Sequence, residues 1–265
     1  MLELRRITKV FNEGTADEKI ALQGIDLTLS PGDFVTVIGS NGAGKSTLMN
    51  IIAGRLSPDT GEVWINGRNV TALKEHVRAR HIGRVFQDPM AGTAPHMTIE
   101  ENLVLAYNRT KRRTLRLGVT KQKREWFRET LQTLHLGLEN RLTAKVGLLS
   151  GGERQALSLL MATFTKPDVL LLDEHTAALD PARAELVTEL TKQIVAQHNL
   201  TTLMVTHNME QAIRLGNRLI MMDGGQIIFA AEGKEKEELT VERLLEEFQR
   251  IRGSQFASDR AVLSS

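Results

Sequence analysis

Gly39-Ser40-Asn41-Gly42-Ala43-Gly44-Lys45-Ser46-Thr47 is the stretch whose reading decides the fold. Its spacing is G-x-x-x-x-G-K-[ST], and both flanks agree with that pattern. Phe34-Val35-Thr36-Val37-Ile38 before it is short, apolar and β-branched, as a buried strand should be. Leu48-Met49-Asn50-Ile51-Ile52-Ala53-Gly54 after it sets helix formers at apolar spacing and ends on a glycine. Strand, glycine loop and helix N-terminus thus stand in the order that phosphate binding needs. The glycines let backbone N–H groups turn inward around phosphate oxygens without a Cβ in the way. The helix N-terminus adds unpaired N–H groups and positive dipole. Lys45 is placed to reach the β- and γ-phosphates, and the Ser46 hydroxyl to ligate Mg²⁺. The stretch predicts a nucleoside triphosphate site.

The 265 residues suffice for one large α/β domain, or one with inserted subdomains. A charged share of 25% and an apolar share of 41% are ordinary for a globular protein. The net charge of +2 is too small to imply a polyanion partner by itself. The chain has no cysteine, which excludes disulfides and thiolate metal sites and fits a reducing compartment. No stretch approaches the roughly 20 apolar residues that span a bilayer. Met1-Leu2-Glu3-Leu4-Arg5-Arg6 alternates like a strand and reads as neither signal peptide nor anchor. The expectation is a soluble chain whose membrane association runs through a partner.

Upstream of the phosphate loop, Leu2 to Phe11, Ile20-Ala21-Leu22 and Ile25 to Leu29 read as strands with turns. Glu62-Val63-Trp64-Ile65-Asn66-Gly67 alternates and closes on Asn-Gly, a hairpin signal. Thr71 to Arg80 reads as a short helix and Ile82 to Gln87 as another strand. From Thr98 to about Phe164 the pattern is helical, opened by a capping box of Thr98 and Glu101. Apolar strands return at 169–172, 203–205 and 218–222, separated by helical patterns as in parallel crossover units. Glu232 to Arg252 reads as a charged helix and Gly253 to Ser265 as a frayed tail. Arg109 to Arg124 is basic without an acidic residue. It is either a solvated face or a surface for anionic lipid or a partner loop, and its lack of interleaved aromatics speaks against nucleic acid.

Val169-Leu170-Leu171-Leu172-Asp173-Glu174 is an apolar strand ending in two carboxylates. In an open parallel sheet ligands sit at the carboxyl ends of strands, so both acids should face the phosphate loop. Asp173 is assigned to hold Mg²⁺ opposite Ser46, and Glu174 to polarise the attacking water as general base. Leu149-Ser150-Gly151-Gly152-Glu153-Arg154-Gln155 places a serine and two glycines before a helical pattern, a second anion-binding helix N-terminus.

Together with the phosphate loop and the Asp173–Glu174 strand, that run resembles the signature motif of the ATP-binding-cassette (ABC) ATPases, over the chain to about residue 230. The resemblance implies an α/β P-loop NTPase core with a parallel sheet, an N-terminal antiparallel β subdomain and an inserted helical subdomain at about 92–165. These would form a single domain over 1–252, with 253–265 a flexible tail. It implies ATP and Mg²⁺ as cofactors. Phe11 stands where the family places an aromatic that stacks on adenine; a core Phe is the other reading. Gln87, in Phe86-Gln87-Asp88-Pro89, resembles the Q-loop glutamine that touches Mg²⁺ and the attacking water, in a loop that couples the site to membrane partners. Ala178-Leu179-Asp180 resembles the D-loop, and His207, after Leu203-Met204-Val205-Thr206, resembles the switch histidine of the γ-phosphate. His207 is the only one of seven histidines whose position argues against a plain surface role.

The resemblance further implies a head-to-tail homodimer. Each ATP would be held by residues 39–47 of one chain and Ser150, Gly151 and Gly152 of the other. The chain would lie on the inner face of the cell membrane through a permease, served indirectly by a substrate-binding protein, with no nucleic acid involved. One departure is that the family's Asp-Glu-Pro-Thr is here Asp173-Glu174-His175-Thr176, which should relax the backbone while keeping both acids. Together with the runs at 87–95 and 216–222, it resembles a subgroup of bacterial uptake ATPases for aromatic amino acids such as tryptophan or tyrosine. The leading expectation is an importer motor subunit. The runner-up is the ATPase of an exporter or lipoprotein-extraction system, followed by a soluble non-transport ABC ATPase. A third reading, a regulatory subunit without turnover, is opposed by intact Lys45, Asp173, Glu174 and His207.

Overall fold

The structure is a computed structural model that describes residues 1–111 and 118–250. The middle of the basic stretch, the end of the 232–252 helix reading and the 253–265 tail lie outside the described residues.

Among the described residues ten strands form two sheets. The first holds β1 (Leu2–Phe11), β2 (Lys19–Leu29), β4 (Thr60–Ile65) and β5 (Arg68–Asn69), all antiparallel, in the order β2-β1-β4-β5. The two apolar runs expected at 20–22 and 25–29 join into the single strand β2, because register shifts against β1 absorb the polar residues between them. The Asn66-Gly67 turn has φ of 48° and 75°, the left-handed pair that matches hairpin twist.

The second sheet has six strands: β3 (Phe34–Gly39), β6 (Ile82–Val85), β7 (Val169–Asp173), β8 (Thr202–Val205), β9 (Arg218–Asp223) and β10 (Gln226–Glu232). Their order is β10-β9-β3-β8-β7-β6, parallel except for the antiparallel edge strand β10. Glu232, where the helix was expected to begin, is the last residue of β10. Beyond it come the short helix at Lys234–Glu237 and helical residues 241–250.

Side-chain alternation along the central strands feeds opposite faces. Val35, Val37 and Leu171 enter a core shared with the antiparallel sheet and the helix that follows the phosphate loop. Leu170, Leu172 and Met204 enter a second core with the inserted helices. The helices are α1 (Lys45–Ala53), α2 (Glu75–Arg78), α3 (Ile99–Tyr107), α4 (Lys121–Gln132), α5 (Gly151–Thr163), α6 (Pro181–His198), α7 (Met209–Arg214) and α8 (Lys234–Glu237). Between β6 and β7 the chain is helical, as expected, and Thr98 and Glu101 form the capping box that opens α3. The helix read over 71–80 shrinks to α2, since Thr71 instead bonds its hydroxyl to the Val63 backbone.

Several described cations of the basic stretch are engaged with neighbours. Arg124 makes a two-point ion pair with Glu100, Arg109 donates to Thr165, and the Lys111 ammonium lies 3.2 Å from the Tyr107 ring centroid. Among the described residues no helix is long and apolar enough to cross a membrane.

Candidate functional site

The phosphate loop links β3 to α1 in the predicted order. Two of its glycines are sterically required. Gly39 has φ 153°, and a Cβ there would sit 2.1 Å from the Met222 carbonyl oxygen. Gly44 has φ 97°, and its Cβ would sit 2.4 Å from the Ala21 carbonyl oxygen. The loop is thus pressed against β9 on one side and β2 on the other. Ser40 adds a hydrogen bond from its hydroxyl to the Asp223 carboxylate at the end of β9. Gly44 caps α1 in the left-handed region, so the first N–H groups of the helix point into the loop.

Lys45 is buried, and its ammonium donates to the Gly39 and Ser40 carbonyl oxygens at 2.7 and 2.9 Å. Burial pushes its pKa below the ordinary lysine value, while the charges of Glu174, Asp173 and Asp223 act in the opposite direction. A cavity of about 370 Å³ opens over the loop, lined by Asn41, Gly42, Ala43, Gly44, Lys45, Ser46 and Thr47 together with Phe11, Glu174 and His207. Phe11 is therefore a half-buried wall of this cavity and no core residue, with the Lys9 ammonium 5.7 Å from its ring centroid.

Asp173 ends β7 and Glu174 follows it. Glu174 has φ 46°, a strained left-handed conformation for a side-chain-bearing residue, held by its N–H bond to the Val205 carbonyl oxygen. The expected relaxation at the Asp-Glu-His-Thr departure is therefore corrected: the backbone there is tight. His207 Nε2 donates to Glu174 Oε1 at 2.5 Å, bringing the switch-histidine and general-base positions into direct contact. Asp173 lies outside the cavity lining and pairs with Arg84 of β6 at 3.0 Å. Gln87 is exposed, and it too stands outside the lining.

His175 corrects the reading that His207 alone was unusual. It is fully buried, its Nε2 lies 3.0 Å from the Thr191 hydroxyl of α6, and burial lowers its pKa to about 4. Because Thr191 donates to the Val187 carbonyl oxygen, its oxygen accepts, which fixes the proton of His175 on Nε2. The sequence singled out neither Arg84 nor His175 as partners, since both contacts are made across elements distant in the chain.

Leu149 precedes Ser150, the N-cap of α5, whose hydroxyl accepts from Glu153 N–H while the Glu153 carboxylate accepts from Ser150 N–H. Burial acts against Glu153, yet the bonds from Ser150 and then the Arg141 charge hold its carboxyl below the usual range. This capping box leaves the half-buried Gly151 and the buried Gly152 in the first turn of a helix N-terminus, outside the cavity that Lys45 lines. Asp180 caps α6 by accepting from Arg183 N–H at 3.1 Å.

Hard oxygen donors from Ser46, Asp173 and Gln87 suit Mg²⁺, which takes one or two protein carboxylates and fills its shell with phosphates and water. Among the described residues no group of three or more His, Cys, Asp or Glu could hold a metal ion.

Residues 22–177 match the ABC transporter family. The chain is 44% identical to the tyrosine transport ATP-binding protein of Clostridioides difficile (strain R20291), over 94% of this chain and 99% of that one. It is 38% identical to the methionine import ATP-binding protein MetN 2 of Enterococcus faecalis, over 88% of this chain and 65% of that one. The dimeric structure of MJ0796, a bacterial ABC transporter cassette, superposes with a TM-score of 0.75 at 30% identity, over 88% of this chain and 98% of that one. A post-hydrolysis state of the same cassette bound to ADP and Pi superposes at 0.74. The chain belongs to the ABC transporter family, as an ATP-binding and ATP-hydrolysing subunit of the cassette type.

Proposed function

We propose that two copies of this chain close head to tail on ATP to drive a separate membrane permease that imports a solute, an aromatic amino acid of the tyrosine kind being the cargo the resemblances favour. The observation that carries the catalytic part is the Glu174–His207 contact at the mouth of the phosphate loop. The Gly39–Thr47 loop and Lys45 hold the β- and γ-phosphates, and Phe11 offers a π-face to adenine. Mg²⁺, held by Ser46, Asp173 and Gln87, would neutralise phosphate charge. Glu174 takes a proton from the attacking water, while His207 orients the carboxylate through its Nε2–H and is placed to turn toward the γ-phosphate. Ser150, Gly151 and Gly152 of the partner subunit would complete the far wall, and Asp180 would lie where the two chains cross. This division of labour explains why the α5 N-terminus stands apart from the cavity of its own chain.

A cleft of about 330 Å³ beside Gln87, lined by Ala53, Ile82, Phe86, Ser158 and Ala162, is the seat proposed for a permease segment. A substrate-binding protein would deliver cargo from the far side of the membrane. Residues 1–252 act in this scheme as one domain, with the inserted helices at about 92–165 as its movable part.

The test is Glu174→Gln. We expect hydrolysis to fall by about 10² or more and the variant to elute as a dimer with ATP and as a monomer without it. Turnover near the wild-type rate would remove Glu174 as base, and failure to dimerise on ATP would remove the composite site.

A further inference from the structure

Arg84 is the cation that the scheme above leaves without a task. It stands on β6 opposite Leu171 of β7, and only 10% of its side chain is exposed. One terminal nitrogen donates to Asp173 Oδ2 at 3.0 Å and the other to Asn50 Oδ1 of α1 at 2.9 Å. Its guanidinium lies 4.8 Å from the Phe86 ring centroid, and the Phe86 carbonyl oxygen accepts from the buried Gln155 of α5. The Arg84 Nε, by contrast, is buried without a partner.

We propose that Arg84 is a resident counter-cation that competes with Mg²⁺ for Asp173 and so sets how tightly the nucleotide site holds its metal. The inference rests on the reading of Asp173 as a metal-binding residue. Two effects of Arg84 oppose each other. By holding Oδ2 it orients the carboxylate, which favours metal binding. By placing a positive charge beside that carboxylate it repels a divalent cation, which disfavours binding. Asp173 is only 16% exposed, so solvent screens this repulsion weakly. Loss of one orienting hydrogen bond is the smaller effect. Without Arg84, moreover, Asp173 loses its ion-pair partner, and an arriving divalent cation would take that place. Lys45 is the other cation near these acids, but its charge is the same in the wild type and in every Arg84 variant. Charge, and not orientation, therefore decides the sign.

The experiment is a Mg²⁺ titration of the full chain with a fluorescent ATP analogue, read by binding and by melting temperature, with no turnover required. In Arg84→Met and Arg84→Gln the Mg²⁺ midpoint should drop by about tenfold, the scale set by charge repulsion at short range. Both variants should melt lower without Mg²⁺ and gain more from it than the wild type does. Arg84→Lys, which keeps the charge, should stay within about twofold of the wild-type midpoint. A midpoint that is unchanged or raised in Met and Gln overturns the proposal. Asp173→Asn separates the two levels. If it leaves the Mg²⁺ dependence intact, the metal reading falls and this proposal with it. If it weakens Mg²⁺ binding while Arg84→Met does nothing, this proposal falls alone.

Discussion

At the scale of single residues, His175 carries the clearest pH signature. Its pKa is about 4 in the folded chain against 6.5 in the open, because burial excludes the charged ring. The folded state therefore refuses a proton that the unfolded state accepts once the pH drops below 6.5. Stability from this group is complete above pH 6.5 and is lost as pH falls toward 4, by about 3 kcal/mol in all. Urea unfolding of the wild type and of His175→Leu from pH 7.5 to 4.5 should show the wild type losing more stability over that window. Equal slopes would show that the ring does not stay neutral. The burial of His175 was not legible in the sequence. It follows two carboxylates at a strand end, and the α6 residues that enclose it are chosen by packing. By contrast, Lys45 and Glu174 could be read from local motifs, since each sits at a strand end whose junction the motif marks, while His207 was read through the family resemblance.

At the scale of elements, α1 depends on both of its ends. Its start is the phosphate loop, and its last turn is closed by the buried Arg78 of α2. Arg78 donates to the carbonyl oxygens of Ile51 and Ile52 as well as to those of Leu73 and Thr71. Burial lowers the Arg78 pKa to about 10, and its removal withdraws a hydrogen bond from each of the four carbonyls, of which Ile51 keeps one from Gly54 N–H. Arg78→Met should cost about 3 kcal/mol or more by denaturant unfolding. A cost under about 1 kcal/mol would mean that water replaces the guanidinium.

The capping box at Thr98 is local and was readable, and Ser150 was read as a helix N-terminus though not as a capping box with Glu153. The edge strand β10 was not read: Ile227-Ile228-Phe229-Ala230-Ala231 is apolar enough for a strand, but its antiparallel place depends on pairing with β9. Likewise Asp173 was assigned to the phosphate loop by strand-end logic, while its pairing with Arg84 depends on the register of β6 against β7.

At the scale of the whole molecule, one chain displays the phosphate loop and the Ser150 turn on separate surfaces, so hydrolysis should need two chains. Lys45→Ala and Gly151→Arg should each be inactive alone. Mixing them should restore measurable hydrolysis, because the mixed dimer joins the intact loop of one chain to the intact turn of the other. Specific activity of the wild type should also climb with protein concentration. A mixture as inactive as its components would show that both walls act within one chain.

The backing of the phosphate loop by β9 and β2, seen at Gly39 and Gly44, has a consequence for the timing of entropy loss. The loop is ordered when the chain folds, so its conformational freedom is surrendered once in the life of the protein and not at every turnover. Each arriving nucleotide meets a cradle already formed, and little of its binding free energy is absorbed in shaping that cradle. What remains is available at each cycle for drawing a second chain into place.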